Sequence, residues 1–549
     1  MNCFLLSNSG FAGKVDFTMF TVIAILSTVL MVFVGYKLLQ ILQLTGYKIK
    51  GYFMWFKETK YSYMSRLFML SFLNIASMLM TNVLLADFFI DKIFSYVSII
   101  FYILFCSLFI TNLFSAKQKT PLKYTKRISR LLVVFIVLVA VLTWGIQYVG
   151  FRFIPYLSFG LIGIIPILLP IVVLLAYYIT WPIEKIISNS YLKKAKKKLK
   201  KNENLTVIGI TGSYGKTSVK NILGTILSEK FKVCVTPASY NTPLGLSKTI
   251  LSKLKPDDEI FLAEMGAKQR NDIMELCNMV SPKIGIITGI GNQHLLTFGS
   301  EENIVKTKGE LAEFITKNNG KIYICTDNEK TKQLIKNYPN AIESSMSKKE
   351  GLFACDVKNT TEGLEFDLCF KKEKVHCKTI LLGEHNVSNI LLASKVALDL
   401  GLSLDEIANG ISKLKTIPHR LEILKTQSPY TIIDNAYNSS VEGSSASLNV
   451  LSCFEGSKFV ITPGLVELGS EQFNSNFEFG KNMAKVADYV LIDSPINYDA
   501  ISSGLVFGGF DEKKIIQVAN LNLAVEMLSK LAKQGDVVLF ENDLPDNYS

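Results

Sequence analysis

An apolar run from Leu205 to Ile210 ends at Thr211-Gly212-Ser213-Tyr214-Gly215-Lys216-Thr217-Ser218, and a helical pattern follows from Val219 to Leu227. That order of strand, glycine loop and helix leaves the segment little freedom. Glycines let backbone N–H groups approach an anion closely, and the helix N-terminus adds partial positive charge. In such a loop Lys216 reaches the β- and γ-phosphates of a nucleotide, and the Thr217 hydroxyl ligates Mg²⁺. Thr211 to Ser218 therefore read as an ATP-binding segment.

The general spacing GxxxxGK[ST] requires glycine at position 210, where this chain has Ile210. The loop reads T-G-x-x-G-K-T instead. This shorter form resembles that of the Mur ligases and of folylpolyglutamate synthase.

The charge is uneven. Residues 1–203 hold 23 Lys and Arg against 6 Asp and Glu, whereas the remainder holds 36 against 41. The basic balance thus belongs to the N-terminal part, where it sits beside apolar runs rather than on a globular face. No nucleic-acid partner is expected from it. The nine cysteines form no CxxC pair, which fits free thiols in a reducing compartment.

Five apolar stretches read as membrane spans: about Phe17–Tyr36, Leu67–Phe89, Phe94–Ala116, Leu131–Val149 and Pro155–Trp181. About 20 helical residues cross the ~30 Å hydrocarbon core. The loop after the first span carries Lys48, Lys50, Lys57, Lys60 and Arg66. The loop after the third carries Lys117, Lys119, Lys123, Lys126, Arg127 and Arg130. The loops after the second and fourth hold only Lys92 and Arg152. The positive-inside rule then predicts a multi-pass protein of the cytoplasmic membrane, N-terminus outside and everything after Trp181 in the cytoplasm. The spans lack a pattern of charges suited to an ion path, so they read as an anchor or a lipid-substrate groove. Lys193, Lys194, Lys196, Lys197, Lys198, Lys200 and Lys201 follow as a polybasic linker, each contributing about 1 kcal/mol of attraction to anionic lipid when held at the surface.

Past Asn204 strands and helices alternate. Val207–Thr211, Lys232–Thr236, Ile260–Met265, Ile284–Ile290 and Lys321–Cys325 read as strands of a mostly parallel sheet. Gly351 to Leu382 alternates differently (Leu364, Phe366, Leu368, Phe370) and reads as an antiparallel addition. Glu264-Met265-Gly266 closes a strand, so its carboxylate is expected beside the phosphate loop as a hard metal ligand.

Three segments then occur in order: Glu264-Met265-Gly266, Thr288-Gly289-Ile290-Gly291-Asn292-Gln293-His294 and Thr307-Lys308-Gly309-Glu310. This series resembles the Mur ligase family, most closely its D-alanyl-D-alanine-adding branch. The resemblance implies that Glu264 and His294 ligate Mg²⁺, and that Lys308 is carbamylated and ligates it too. Lys306 competes for that last role; Lys308 is preferred because Gly-Glu follows it. Gly383-Glu384-His385-Asn386-Val387-Ser388-Asn389 resembles the family's G-x-H-N-x-x-N, which places His385, Asn386 and Asn389 on the adenine side of ATP. The same residues also read as a helix-capping cluster. Pro418-His419-Arg420-Leu421-Glu422 resembles P-G-R-M-E, which implies that Arg420 stabilises phosphoryl charge. Ile433-Asp434-Asn435-Ala436-Tyr437-Asn438 resembles D-D-x-Y-N-A-N-P, but Asn435 replaces the second Asp and the Pro is missing. Asp434 is the remaining candidate for fixing nucleotide or amine. Thr462 to Gly469 resembles a loop of the family's C-terminal domain but lacks its Asp.

The expected architecture is a membrane-anchored α/β protein. It comprises a transmembrane region (1–181), a juxtamembrane linker (182–203), a central ATP-binding domain (204–416) and a C-terminal Rossmann-like domain (417–549). The family's UDP-sugar-binding domain has no counterpart; the spans stand in its place. The expected activity is ATP-dependent amide ligation through an acyl phosphate, with Mg²⁺ at two sites. The amine would be an amino acid or dipeptide, and the acceptor a nucleotide- or lipid-linked envelope precursor at the membrane face. Two other classes stay open: a membrane P-loop ATPase or transporter component, and a nucleotide-binding scaffold with weakened chemistry.

Overall fold

The structure, a computed structural model, describes residues 17–58, 61–83, 91–115, 121–153, 161–293, 295–437, 440–466 and 468–542. His294, Asn438 and Glu467, all in segments singled out above, lie outside the described residues. The chain divides into two compact units, one built from residues 1–187 with 545–549, the other from 188–544.

The first unit is helical. Its described helices are Phe17–Val34, Tyr36–Leu44, Ile49–Glu58, Ser62–Val83, Asp91–Ser115, Lys126–Phe153 and the first part of Ile165–Lys201. Among the described residues three helices, not the expected five, are long and apolar enough to cross a membrane: Thr21–Leu44, Lys126–Val149 and Ile165–Lys201. The expected second span begins inside Ser62–Val83, a helix diluted by Ser65, Arg66, Ser71 and Asn74, and ends in residues outside those described. The expected third span keeps only Ile99–Phe114 as a shorter apolar helix. Large apolar side chains face outward along the three long helices, including Val22, Val29 and Phe33, then Val133, Val137 and Val141, then Ile171, Leu175 and Tyr178. The basic start of Lys126–Phe153 is tied down locally: Arg130 Nε donates to Glu184 Oε1 at 2.6 Å, and the Arg127 guanidinium lies 3.7 Å from the Tyr47 ring centre.

The second unit opens on the last turns of Ile165–Lys201. Ala195 is fully buried there, and Leu192 and Leu199 pack beside it on Leu246, Ile250 and Leu254. A six-stranded sheet follows, built from β1 (Thr206–Thr211), β2 (Val233–Val235), β3 (Ile260–Glu264), β4 (Ile284–Ile287), β5 (Lys321–Cys325) and β6 (Ile342–Ser344). All its pairings are parallel, in the order β2-β3-β1-β4-β5-β6. β1 lies between β3 and β4, so the loops after these three strands open on one crevice. The continuous apolar β1 and β3 suit strands covered on both faces.

The alternating segment forms the antiparallel meander β7 (Leu352–Thr360), β8 (Gly363–Phe370) and β9 (Glu373–Thr379). Leu364, Phe366 and Leu368 share one face of β8 and are buried in one apolar core with residues of helices Lys216–Leu227 and His385–Asp399. A second sheet of six holds β10 (Glu422–Leu424), β11 (Thr431–Asn435), β12 (Lys458–Thr462), β13 (Tyr489–Ile492), β14 (Ile515–Gln517) and β15 (Val537–Glu541). Its order is β10-β11-β15-β12-β13-β14, with β10 alone antiparallel. The last strand, β15, therefore sits in the middle, next to β11.

Candidate nucleotide and metal site

β1 delivers the glycine loop to the crevice, and the helix Lys216–Leu227 begins immediately after Gly215. Gly215 has φ +80°, a left-handed conformation that L side chains rarely adopt, and a Cβ there would meet Asn389 Oδ1 at 3.0 Å. Asn389 thus lies against the phosphate loop. Thr288, after β4, braces the loop through hydrogen bonds from its hydroxyl to the carbonyls of Thr211 and Tyr214. Ser213 Oγ donates to the Gly291 carbonyl at 3.1 Å. The Thr211 hydroxyl donates to the Met265 carbonyl at 3.0 Å, which ties β1 to the end of β3.

Lys216 Nζ donates to the loop's own carbonyls, Gly212 at 2.7 Å and Ser213 at 2.8 Å. The ammonium is therefore already held at the loop where phosphate oxygens would accept from it. Burial lowers its pKa to about 8, opposed by the charge of Glu264 and assisted by that of Arg420.

Register explains Glu264. It pairs with Ile210 at the end of the β1–β3 ladder, so its carboxylate sits level with the start of the loop. It is 1% exposed. Thr217 Oγ1 lies 3.2 and 3.1 Å from its two oxygens, Lys220 Nζ donates to Oε2 at 3.0 Å, and Asn241 Nδ2 to Oε1 at 3.3 Å. Gly266 permits this last contact, since a Cβ there would meet the Asn241 side chain at 2.6 Å. A threonine hydroxyl and a buried carboxylate converging beside a phosphate loop are the hard oxygens that Mg²⁺ takes. The residues present fit that ion, which Thr217 and Glu264 would hold.

Lys308 and Lys306 separate cleanly on the helix Glu301–Lys317. Lys306 points outward and pairs with Glu302 at 2.6 Å. Lys308 is 3% exposed, and its ammonium lies 5.9 Å from the Phe298 ring centre. Among the described residues it makes no ion pair. Burial, then the nearby Lys216 charge, holds its pKa well below the usual lysine range.

Residues 188–544 also bring the second sheet's side chains to this crevice. Arg420 follows His419, which has φ +61°, and precedes Leu421 at φ +50°. Its guanidinium is 5.0 Å from the Tyr437 ring centre, and Tyr437 Oη is 2.6 Å from Ser239 Oγ. The electrostatic influence of Glu264 extends to Arg420 as well as to Lys216. One carboxylate is thus hydrogen-bonded by Lys220 and felt by two further cations, Lys216 and Arg420, and that imbalance suits a polyphosphate. Burial, with the Arg420 charge behind it, lowers His385 to about 4, so its imidazole is neutral.

Asn386 Nδ2 donates to the Leu382 carbonyl at 2.8 Å, and Asn389 Nδ2 donates to Asn386 Oδ1 at 3.2 Å. Asn386 is therefore a backbone brace, and Asn389 the member of that cluster that faces the loop. Asp434 accepts from the Ala436 N–H at 3.0 Å and lies 2.7 Å from His419 Nδ1. It holds the turn that carries Arg420, a partnership the sequence reading did not include.

Lys220 and Asn241 were also missed. Lys220 had a signal, since it stands four residues after Lys216 and so on the same face of the helix. One departure from the family pattern, Asn435, finds its partner across the sheet. Asn435 Nδ2 donates to Glu541 Oε2 at 2.9 Å, and the two residues are register partners on β11 and β15. An Asp at 435 would set one carboxylate against another.

The comparisons agree with this geometry. Residues 210–397 match the Mur ligase middle domain. A Bacillus subtilis (strain 168) protein, UDP-N-acetylmuramoyl-tripeptide--D-alanyl-D-alanine ligase, is 27% identical over 344 residues, covering 61% of this chain and 72% of the relative. The Escherichia coli (strain K12) protein of the same name is 28% identical over 283 residues, covering 50% of this chain and 61% of the relative. The chain thus spans only about two thirds of those relatives' length. Among solved structures, the MurF ligase from Thermotoga maritima in complex with ADP superposes with a TM-score of 0.57 at 28% identity, covering 65% of this chain and 80% of that one. MurF from Acinetobacter baumannii, at 24% identity and a TM-score of 0.59 over 65% of this chain and 77% of that one, shares the fold. Residues 210–397 of this chain thus carry a match to the Mur ligase middle domain, and the likeness to D-alanyl-D-alanine-adding ligases extends over about half to three fifths of the chain.

Proposed function

We propose that this chain is a membrane-anchored ligase that uses ATP to join an amine to a carboxylate on a peptidoglycan or other cell-envelope precursor. One observation carries the reading: Glu264 and Thr217 stand beside a glycine loop, Lys220 is hydrogen-bonded to Glu264, Lys216 and Arg420 lie within its electrostatic influence, and Arg420 comes from the turn that leads into the second sheet. A bare ATPase needs only the first sheet. A group reaching over from the second gives a place where an activated acid meets its amine with water excluded.

In this reading Lys216, the loop N–H groups and Arg420 hold the phosphates, Asn389 lies against the loop, and His385 is on the adenine side. Thr217 and Glu264 hold Mg²⁺, which when bound neutralises charge on the transferring phosphoryl group. Lys308, buried and without an ion-pair partner among the described residues, suits carbamylation, which turns an amine into a carboxylate-like second metal ligand alongside His294. Asp434 acts through His419, setting the turn that aims Arg420. The substrate carboxylate attacks the γ-phosphate to give an acyl phosphate and ADP. The amine then displaces phosphate and forms the amide.

The relatives' names suggest a UDP-linked muramoyl peptide as acceptor and D-alanyl-D-alanine as amine. The apolar outer faces of the three long helices favour a bilayer around the first unit. With the N-terminus outside, three crossings, like five, put the residues after the last span on the cytoplasmic side, where ATP is. A lipid-linked acceptor is the alternative to the UDP-linked one.

The test is ADP release by the detergent-solubilised full chain with ATP, Mg²⁺, UDP-muramoyl tripeptide and D-alanyl-D-alanine. Release that needs both acceptor and amine supports ligation. Release indifferent to both overturns it. Lys308→Ala is expected to lose about 10²-fold in turnover, the upper range for support around a metal, and to recover in part with added acetate or propionate. Loss without rescue would remove carbamylation from the account.

A further inference from the structure

Lys220 is fully buried, and so is the carboxylate it meets. Its ammonium donates to Glu264 Oε2 at 3.0 Å and also to the Ala238 carbonyl, a residue held at φ +43°. Burying a lysine costs several kcal/mol unless it is paired and hydrogen-bonded. Orientation alone does not require that expense. Thr217 and Asn241, both neutral, already contact both oxygens of Glu264. What Lys220 adds is a charge that cancels that of Glu264.

The consequence lies in the balance of the pocket. With Lys216 and Arg420 within electrostatic reach of Glu264, the crevice without nucleotide is positive. A free divalent cation entering it meets a carboxylate already neutralised and two further positive charges. ATP reverses that balance, because its triphosphate brings more negative charge than the cations cancel.

We propose that Lys220 is a positioning residue that fixes the Glu264 carboxylate and closes the site to free divalent cations, so that the metal enters only together with nucleotide phosphate. This deepens the functional reading above and rests on Glu264 being a metal ligand. The segment Lys216-Thr217-Ser218-Val219-Lys220 then carries two lysines with opposite tasks. The first draws phosphate in; the second holds the metal's carboxylate in reserve until phosphate arrives.

The experiment is Mn²⁺ binding to the full chain in detergent, read by electron paramagnetic resonance with and without the non-hydrolysable analogue AMPPNP, for wild type, Lys220→Met, Lys220→Arg and Glu264→Gln. Wild type is expected to bind Mn²⁺ at this site only with AMPPNP. Lys220→Met is expected to bind free Mn²⁺ at least tenfold more tightly than wild type, and Lys220→Arg to behave as wild type. Lys220→Gln replaces Lys220→Met if the latter does not fold. Nucleotide-independent Mn²⁺ binding by wild type that disappears in Glu264→Gln overturns the proposal without any lysine variant. Equal free-Mn²⁺ affinity in wild type and Lys220→Met, with the AMPPNP-dependent signal lost in Glu264→Gln, overturns the role of Lys220 alone. An AMPPNP-dependent signal unchanged in Glu264→Gln removes Glu264 from the metal site, and the inference goes with it.

Discussion

Each of the two six-stranded sheets carries a buried glutamate at the C-terminal end of a strand, Glu264 on β3 and Glu541 on β15. Glu264 lies beside a glycine loop and receives Thr217, Lys220 and Asn241. Glu541 stands in register with a neutral amide, Asn435, and accepts its hydrogen bond. Position in the fold is therefore the same and chemistry is not. A strand-end carboxylate becomes a candidate metal ligand through the charges around it, and a structural acceptor where its neighbour is an amide.

The comparison breaks most visibly at the phosphate loop itself. Lys216→Met is expected to lower ADP release by about 10²–10³-fold, the scale for removing one preorganised donor to developing charge, with the far-UV spectrum unchanged. Activity within tenfold of wild type would take the cationic side of the site out of the account. Next come the two glutamates. Glu264→Gln should raise the Mg²⁺ requirement of turnover about 10–100-fold, whereas Glu541→Gln should leave it within threefold and alter only stability. If both variants shift the Mg²⁺ titration equally, the contrast between the two sheet edges fails.

Asn435→Asp sharpens the same contrast from the other side. It would press a second carboxylate against buried Glu541, at about 3 kcal/mol, the lower end of the cost of an uncompensated buried charge. The thermal midpoint of the catalytic unit should fall by several degrees; no change would mean that Glu541 is not charged there. The smallest effect is a proton. With its folded pKa near 8, Lys216 sheds its proton in the native chain while an unfolded chain keeps it to about 10.4. The unfolded state binds more protons in that window, so this group's contribution to stability rises with pH from about 8 to about 10. Phosphate favours the ammonium. ATP binding at pH 8.5 should therefore take up a fraction of a proton, seen as a buffer-dependent calorimetric enthalpy that Lys216→Met abolishes.

How much of this was readable in the chain follows from sequence distance. The loop from Thr211 to Ser218, Glu264 at a strand end and Lys308 before Gly-Glu are local patterns, and each stands inside the crevice or next to it. The choice of Lys308 over Lys306 was made on the residues that follow it, and the helix turns the first inward and the second outward. Lys220 is legible only as the fourth residue after Lys216; nothing local to it in the chain marks Glu264 as its partner. The Asn435–Glu541 pair was not legible. Its members are far apart in sequence, and only the insertion of β15 beside β11 brings them together. The apolar N-terminal region taught less than expected. Hydropathy marks a helix as apolar without fixing where it ends: the helix begins at Ser62, before the expected span, and Ser71 and Asn74 fall inside that span.

The most direct measurement is the ratio of ADP released to amide formed, followed together by a coupled nucleotide assay and by mass spectrometry on the full chain with ATP, Mg²⁺, acceptor and amine. The account predicts one amide per ADP, and no ADP when either the carboxylate or the amine is withheld. ADP that accumulates without an amide product would contradict it.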